Sequence, residues 1–263
     1  MTPLSDMLRG QPERITNATA SPKILIVWQH ANEQLAPRTA HHIYTERPDL
    51  AAHVDYICGN PRAAAHPEDL GFIETDLNRS YGAPHIPPSY EETRAAEILG
   101  LAAGYDYVLD LHASVDPEIG DFIVIAKETQ DEPAVRDLIA AAPNRRVLIM
   151  PTAGQGSLIG TAQNAITIEY SVRLVESRGV SEMTRLLDTL VHGKGQSVER
   201  ELYHIEGTIP KDQDPGPAAR NFELWKPGGY YPILLGSGPR SYRQDPTKDY
   251  CCFYAKRKER VVL

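Results

Sequence analysis

The residues best suited to chemistry in this 263-residue chain are two histidines and two glutamates. His30 and Glu33 are three positions apart and follow the apolar run KILIVW at 23–28. His112 follows a second such run, YDYVLDL at 105–111. Because ligand sites in open α/β sheets collect at the carboxyl ends of strands, we expect these three side chains to converge on one metal ion.

Two histidines and one glutamate are the ligand set of a catalytic zinc site, since three protein ligands leave the fourth position open to water. We therefore expect one Zn2+ per chain. Glu169 lies inside the apolar strand AITIEYS, where an unpaired carboxylate is costly to bury. Beside a metal-activated water it can act as general base and then protonate a leaving amine. The alternative reason for its position is a buried ion pair with Arg173.

Further polar residues suit a supporting role. Asp110 lies two positions before His112 and is expected to accept a hydrogen bond from a ligand imidazole, although the sequence leaves open which one. Arg62, Asn78 and Arg79 fall in the irregular, proline-rich stretch 59–88. Arginine binds carboxylates with two hydrogen bonds and can stabilise an oxyanion. This set predicts hydrolysis of an amide whose product amino acid carries a free carboxylate. A plain surface turn is the alternative interpretation of the DLNR segment.

Strands alternate with helices along the first two thirds of the chain. Apolar runs predict strands at 23–28, 54–58, 105–111, 121–126, 146–150 and 165–171, and periodic patterns predict helices at 33–46, 89–103, 132–142 and 181–192. Asn32 is the expected N-cap of the first helix, and Ser89 with Glu92 has the spacing of a capping box. This alternation predicts an α/β fold with a mixed central sheet and helices on both faces.

The character of the sequence changes from about Lys194 onward, where glycine and proline separate short segments such as YYPILL and CCFYA. We predict a catalytic domain over 1–193 and a smaller β-rich C-terminal domain over 194–263. The basic run KRKER at 256–260 is interpreted as a solvated strand or terminus.

Composition excludes several kinds of partner. The net charge of −8 and the pI of about 5.6 argue against a nucleic-acid surface. The opening residues contain no apolar run long enough for a signal peptide or membrane span, so we expect a cytoplasmic protein with no membrane partner. The three cysteines, Cys58, Cys251 and Cys252, are interpreted as ordinary buried thiols. A homo-oligomer stays open.

These motifs resemble the succinylglutamate desuccinylase/aspartoacylase family, relatives of the zinc carboxypeptidases. The resemblance rests on the order and spacing of QHANE with His30 and Glu33, NPRA with Arg62, DLNR with Asn78 and Arg79, DLHAS with His112 and TIEYS with Glu169. It covers residues 23–175 strongly and continues weakly through YYPILLGSG.

The resemblance implies a zinc-dependent deacylase of N-acyl amino acids acting on a small molecule with a free carboxylate. His30, Glu33 and His112 would hold zinc, Glu169 would be the base, Arg62 would polarise the scissile carbonyl, Asn78 and Arg79 would bind the α-carboxylate, and Tyr242 would reach the site. The C-terminal domain would narrow access to it. A zinc carboxypeptidase acting on short peptides, or a non-catalytic protein that keeps the fold, are the alternatives.

Two positions depart from the family pattern. Ala31 follows the first histidine where the family usually has glycine, and a small residue is kept. Ile159 stands about where aspartoacylases have an arginine for the substrate's side-chain carboxylate. We therefore expect N-acyl derivatives of neutral or less acidic amino acids to be preferred over N-acetylaspartate.

Overall fold

Ten strands of the described chain form one continuous sheet in the order β1-β3-β2-β4-β7-β5-β6-β8-β10-β9. The computed structural model describes residues 13–66, 68, 70–82, 84–114, 119–151, 156–193, 198–237 and 241–262. The strands are β1 Arg14–Ile15, β2 Ile24–Trp28, β3 Val54–Cys58, β4 Tyr107–Ser114, β5 Asp121–Ala126, β6 Arg146–Met150, β7 Ala165–Ser171, β8 Glu199–Pro210, β9 Tyr231–Ile233 and β10 Tyr250–Val262.

The centre of the sheet is parallel, with β3, β2, β4 and β7 running in one direction. β5 pairs antiparallel with β7, so the start of β5 lies at the same edge of the sheet as the end of β7. In the β4–β7 pair, His112 lies opposite Glu169. The mixed sheet that the sequence predicts is therefore confirmed.

Helices cover both faces of this sheet. Their bounds are Leu35–Glu46, Pro48–Ala51, Pro61–Ala64, Tyr90–Ala102, Pro133–Ala141, Leu158–Thr161, Val172–Leu174 and Val180–His192, with a π-helical turn Val175–Gly179 before the last. Alternate residues of β2 point to opposite faces of the sheet. Ile24 and Ile26 pack in the same apolar cluster as the helices that begin at Leu35 and Val180. Leu25 packs in the cluster that contains the helix beginning at Tyr90. None of the described helices combines the length and apolarity needed to cross a bilayer.

The two predicted helix starts have different outcomes. Ser89 accepts a hydrogen bond from the backbone of Glu92 and the Glu92 side chain accepts one from the backbone of Ser89, so the capping box is confirmed. The expectation of an Asn32 cap was wrong. The first long helix begins at Leu35 after Gln34, which provides no side-chain cap.

The C-terminal strands continue the central sheet. β8 pairs parallel with β6, β10 pairs antiparallel with β8, and β9 pairs antiparallel with β10. The division into units at 193 and 194 stays a prediction. The basic run 256–260 lies within β10, where Lys258 lies 2.8 Å from Glu201 on β8, as expected for a solvated strand. The three cysteines are free and buried.

Candidate metal centre and active site

Three side chains meet just above the carboxyl end of β2. His30 Nδ1 lies 2.8 Å from Glu33 Oε1, and His112 Nδ1 lies 2.9 Å from Glu33 Oε2. One ligand atom from each of the three residues lies within 4.8 Å of the others. The backbone N–H of Ala113 also donates to Glu33 Oε2 at 2.9 Å and fixes that carboxylate. The structure therefore brings the three predicted metal ligands together.

His112 lies within strand β4 and not at its end, as the sequence suggested. The sequence suggested that the strand ends before it, but β4 continues to Ser114 because residues 108–114 all pair with β7. His112 is therefore held by the sheet on a rigid, buried segment, whereas His30 and Glu33 lie on the turn after β2.

Each imidazole contacts a second carboxylate through Nε2, the ring nitrogen that does not face Glu33. Asp110 Oδ1 is 3.0 Å from Nε2 of His112, a contact between charges rather than a well-aligned hydrogen bond, and Thr167 donates to the other Asp110 oxygen at 2.8 Å. Asp76 Oδ1 lies 2.9 Å from Nε2 of His30. Such carboxylates orient a ligand histidine and increase its basicity. The ligand imidazole that Asp110 contacts is therefore that of His112. Asp76, which contacts His30, is a site residue that the sequence interpretation missed.

The electrostatics of this cluster favour a cation. Burial alone would lower the pKa of His30, but Glu33 and Asp76 outweigh it and raise that pKa to about 9. Burial also lowers the pKa of His112. Asp110 and Glu33 outweigh this effect and raise that pKa well above its usual range. The donor set fits zinc, because it consists of two imidazole nitrogens and one carboxylate, and further carboxylates contact the imidazoles.

Glu169 faces this cluster from the neighbouring strand. Burial raises the pKa of its carboxyl to about 7, while His112 acts in the opposite direction. Arg173 is exposed, and no ion pair to Glu169 is found in the described part of the chain, so the alternative of a buried pair receives no support. A carboxyl with a pKa near neutrality is suited to accept and return a proton.

A cavity of about 420 Å³ opens over the cluster. Its described lining consists of His30, Asn32, Glu33, Gly71, Phe72, Asp76, Asn78, Arg79, His112, Ala113, Ser114, Ile119, Glu169, Leu234, Ser241 and Tyr242. Seven of the eight predicted site residues are in this set, and Tyr242 is one of them. The sequence interpretation missed Phe72, Ile119 and Leu234, because isolated apolar residues in loops carry no signal of a binding role.

The DLNR segment is both a turn and part of the cavity wall. It forms a 3-10 turn over Leu77–Arg79, capped by Asp76, which accepts a hydrogen bond from the Asn78 backbone at 2.8 Å. Gly156 packs against this turn with a φ of +91°, and a Cβ there would lie 2.6 Å from the Arg79 carbonyl oxygen. Only glycine permits that approach. The turn thereby holds Asn78 and Arg79 at the cavity.

The structure does not bring Arg62 to the cavity. Its side chain is exposed, and its guanidinium carbon lies 4.1 Å from the centre of the Tyr90 ring. Ile159 is also elsewhere than expected, since it is buried in the core layer that contains Leu25 and Ala95. The absence of an arginine at 159 therefore says nothing about the cavity. Among the described lining residues, Arg79 alone is a permanent cation.

Comparison with known structures finds the same fold in an aminoacylase, a succinylglutamate desuccinylase and an ectoine utilization protein. Murine aminoacylase 3 is 18% identical, with the match covering 93% of this chain and 98% of that chain at a TM-score of 0.67. Succinylglutamate desuccinylase from Chromobacterium violaceum is 14% identical, with coverage of 94% and 86% and a TM-score of 0.67. The product-bound ectoine utilization protein EutE (DoeB) from Ruegeria pomeroyi is 15% identical, with coverage of 95% and 81% and a TM-score of 0.58.

No protein-family model and no curated protein sequence matches the chain. The likeness is therefore carried by three-dimensional structure, and further structures of the same kind include a succinylglutamate desuccinylase/aspartoacylase family protein from Shewanella amazonensis, described as putative, at 13% identity and a TM-score of 0.61. The chain has the fold of the succinylglutamate desuccinylase/aspartoacylase family, the family that its motifs resemble.

Proposed function

We propose that this protein is a zinc-dependent deacylase that hydrolyses the amide bond of N-acyl amino acids. The observation that carries the proposal is the placement of a zinc-compatible group of side chains beside the half-buried Glu169, with the guanidinium of Arg79 on the wall of the same cavity. The fold shared with aminoacylase 3 and succinylglutamate desuccinylase supports it.

His30, Glu33 and His112 would hold the metal. Bound zinc would supply Lewis-acid polarisation of the scissile carbonyl and of the attacking water. The protein's own contribution is to aim the ligands: Asp76 and Asp110 fix the imidazole orientations, and the backbone of Ala113 fixes the glutamate.

Glu169 would move the proton. A carboxylate accepts the proton of the attacking water and donates it to the amine as the amide C–N bond breaks. Its raised pKa makes Glu169 a stronger base than an ordinary glutamate, and because that pKa lies near neutrality the carboxyl can still give the proton up again at the working pH.

Arg79 and Asn78 would bind the α-carboxylate of the substrate from the cavity wall. The guanidinium of Arg79 is anchored at 2.7 Å to the carbonyl oxygen of Asn78 and keeps further N–H groups for an anion. Tyr242 lies in the same cavity, packed between Tyr250 and Phe253. Contact between Arg62 and the carbonyl would require its guanidinium to leave the Tyr90 ring.

The test is hydrolysis by zinc-reconstituted protein of a panel of N-acetyl amino acids, with matched dipeptides measured in parallel. We expect turnover of the N-acetyl compounds and its loss in Glu169→Gln, with Glu176→Gln on the exposed turn that follows as control. Faster cleavage of the dipeptides would assign a carboxypeptidase instead. Binding of the panel without turnover would support a non-catalytic protein.

A further inference from the structure

Glu91 is a fully buried carboxylate at the start of the helix Tyr90–Ala102, outside the metal cluster. One oxygen, Oε1, accepts from Asn60 Nδ2 at 2.9 Å, from the backbone N–H of Ile73 at 2.8 Å and from that of Glu74 at 3.3 Å. The other accepts from the backbone N–H groups of Glu74 at 3.3 Å and Thr75 at 3.2 Å. Three consecutive loop amides therefore point at one side chain.

All of these partners are donors, so the site requires a side chain that accepts hydrogen bonds through both of its terminal atoms. An ionised glutamate only accepts hydrogen bonds, whereas a glutamine side chain presents two N–H groups and one oxygen. Glutamine would therefore place an amide N–H against at least one loop N–H. No lysine or arginine forms an ion pair with Glu91 within the described chain, so the hydrogen-bond partners of its carboxylate are the loop amides and Asn60.

The loop held by Glu91 leads directly into the site. Thr75 is followed by Asp76, which contacts His30 and caps the turn that carries Asn78 and Arg79. A change in the 73–75 backbone would therefore displace the carboxylate-binding side chains and the residue behind one metal ligand together.

The same glutamate also holds the NPRA segment, which carries Arg62. Asn60 donates to Glu91 through Nδ2 and accepts from the Ala63 backbone through Oδ1 at 3.1 Å, which caps the short helix that carries Arg62. Arg62 in turn stacks on Tyr90, the neighbour of Glu91. The NPRA and DLNR segments are thus tied to each other through one buried side chain.

We propose that Glu91 is a positioning residue that sets the geometry of the substrate-carboxylate site by fixing the 73–75 backbone and Asn60. This inference rests on the proposed deacylase function for its kinetic consequence. A general role as an acid at a helix N-terminus does not explain the contacts, because the adjacent Glu92 already completes the capping box.

The experiment compares Glu91→Gln with Glu92→Gln, which removes a carboxylate one position along the same helix without touching the 73–75 loop. Hydrogen exchange of zinc-loaded protein should be faster in the 70–80 segment for Glu91→Gln and unchanged there for Glu92→Gln. Steady-state kinetics on the best N-acetyl amino acid should show a KM raised on the order of tenfold or more in Glu91→Gln, with a smaller change in kcat.

Glu91→Asp supplies a second measure if the glutamine variant folds poorly, because it keeps the charge and shortens the reach. We expect a rise in KM smaller than that of Glu91→Gln and faster exchange in the same segment. Unchanged exchange at 70–80 in both Glu91 variants, or kinetics that match Glu92→Gln at equal thermal stability, would overturn the proposal. A wild-type protein that hydrolyses nothing would refute the deacylase function, while the exchange comparison would still decide whether Glu91 holds the loop.

Discussion

Asp76 contacts His30 through the same oxygen that caps the turn Leu77–Arg79. Oδ1 of Asp76 lies 2.9 Å from His30 Nε2 and 2.8 Å from the backbone nitrogen of Asn78. One atom therefore links the orientation of a proposed metal ligand to the position of the residues proposed to bind the substrate. Metal affinity and substrate affinity should respond together when it is removed.

We expect Asp76→Ala to weaken zinc binding by about 10- to 100-fold, the usual effect of removing a carboxylate behind a ligand histidine. The KM for an N-acetyl amino acid should rise in zinc-saturated protein, because the turn that holds Arg79 loses its cap. Competition with a zinc chelator and steady-state kinetics measure the two effects. Asp106→Ala, at the entry to β4, is a control expected to change neither. A variant that loses only one of the two properties would show that they are independent.

Zinc affinity should depend steeply on pH because the metal displaces a proton from His30. Without metal the pKa of His30 is raised to about 9, so the imidazole is protonated below that pH and deprotonated above it. Affinity should therefore increase as the pH rises toward 9, by about tenfold per pH unit for each proton released. Chelator competition between pH 6 and 8 measures the slope. A flat profile over that interval would show that binding displaces no proton from either histidine and would contradict the proposed ligand set.

Replacement of Glu169 should separate catalysis from metal binding. We expect Glu169→Gln to retain zinc and to lose on the order of a hundredfold or more in kcat. In the wild-type protein, kcat/KM for the proposed hydrolysis should fall at low pH, since the proposed base must be ionised. Burial raises the pKa of this carboxyl to about 7 and the positive charge of zinc acts against that rise, so the acid limb should lie at or below about pH 7. Near-normal turnover in the variant would assign the base to another group.

The charge of the cavity wall predicts which substrates are accepted. Arg79 is the permanent cation of the described lining, and it can neutralise one carboxylate. A second buried carboxylate without a partner costs several kcal/mol. Derivatives of neutral amino acids should therefore be preferred over N-acetylaspartate, and conversion of the α-carboxylate to an amide should abolish turnover. The kcat/KM values of a small substrate panel measure this preference. The same panel is measured with Arg79→Lys, which keeps the charge but not the planar guanidinium. A clear preference for N-acetylaspartate would contradict it.

Much of the core could be predicted from the sequence because its strands are short apolar runs between polar segments. The bounds expected for β3, β5, β6 and β7 match the structure. β8 was missed because it is partly exposed, and its alternation of charged and apolar residues resembles a loop when read alone.

The convergence of His30, Glu33 and His112 could also be predicted, since each of them lies next to or within a recognisable strand. The roles of Asp76 and Arg62 could not. Asp76 stands where an ordinary turn also favours aspartate, and its contact with His30 joins residues 46 positions apart. The position of Arg62 depends on a ring contributed by a different helix, and nothing in the NPRA motif indicates that contact.

The parallel pairing of β8 with β6 has a consequence for how the chain can be shortened. A fragment ending at 193 would leave β6 as an unprotected sheet edge from Arg146 to Ile149. Leu148, which now packs with Tyr203 in one apolar cluster, would be exposed. Exposed apolar edges of this kind promote edge-to-edge aggregation. The C-terminal seventy residues should therefore behave as part of the folding unit of the central sheet, and such a fragment should be recovered mainly as insoluble protein.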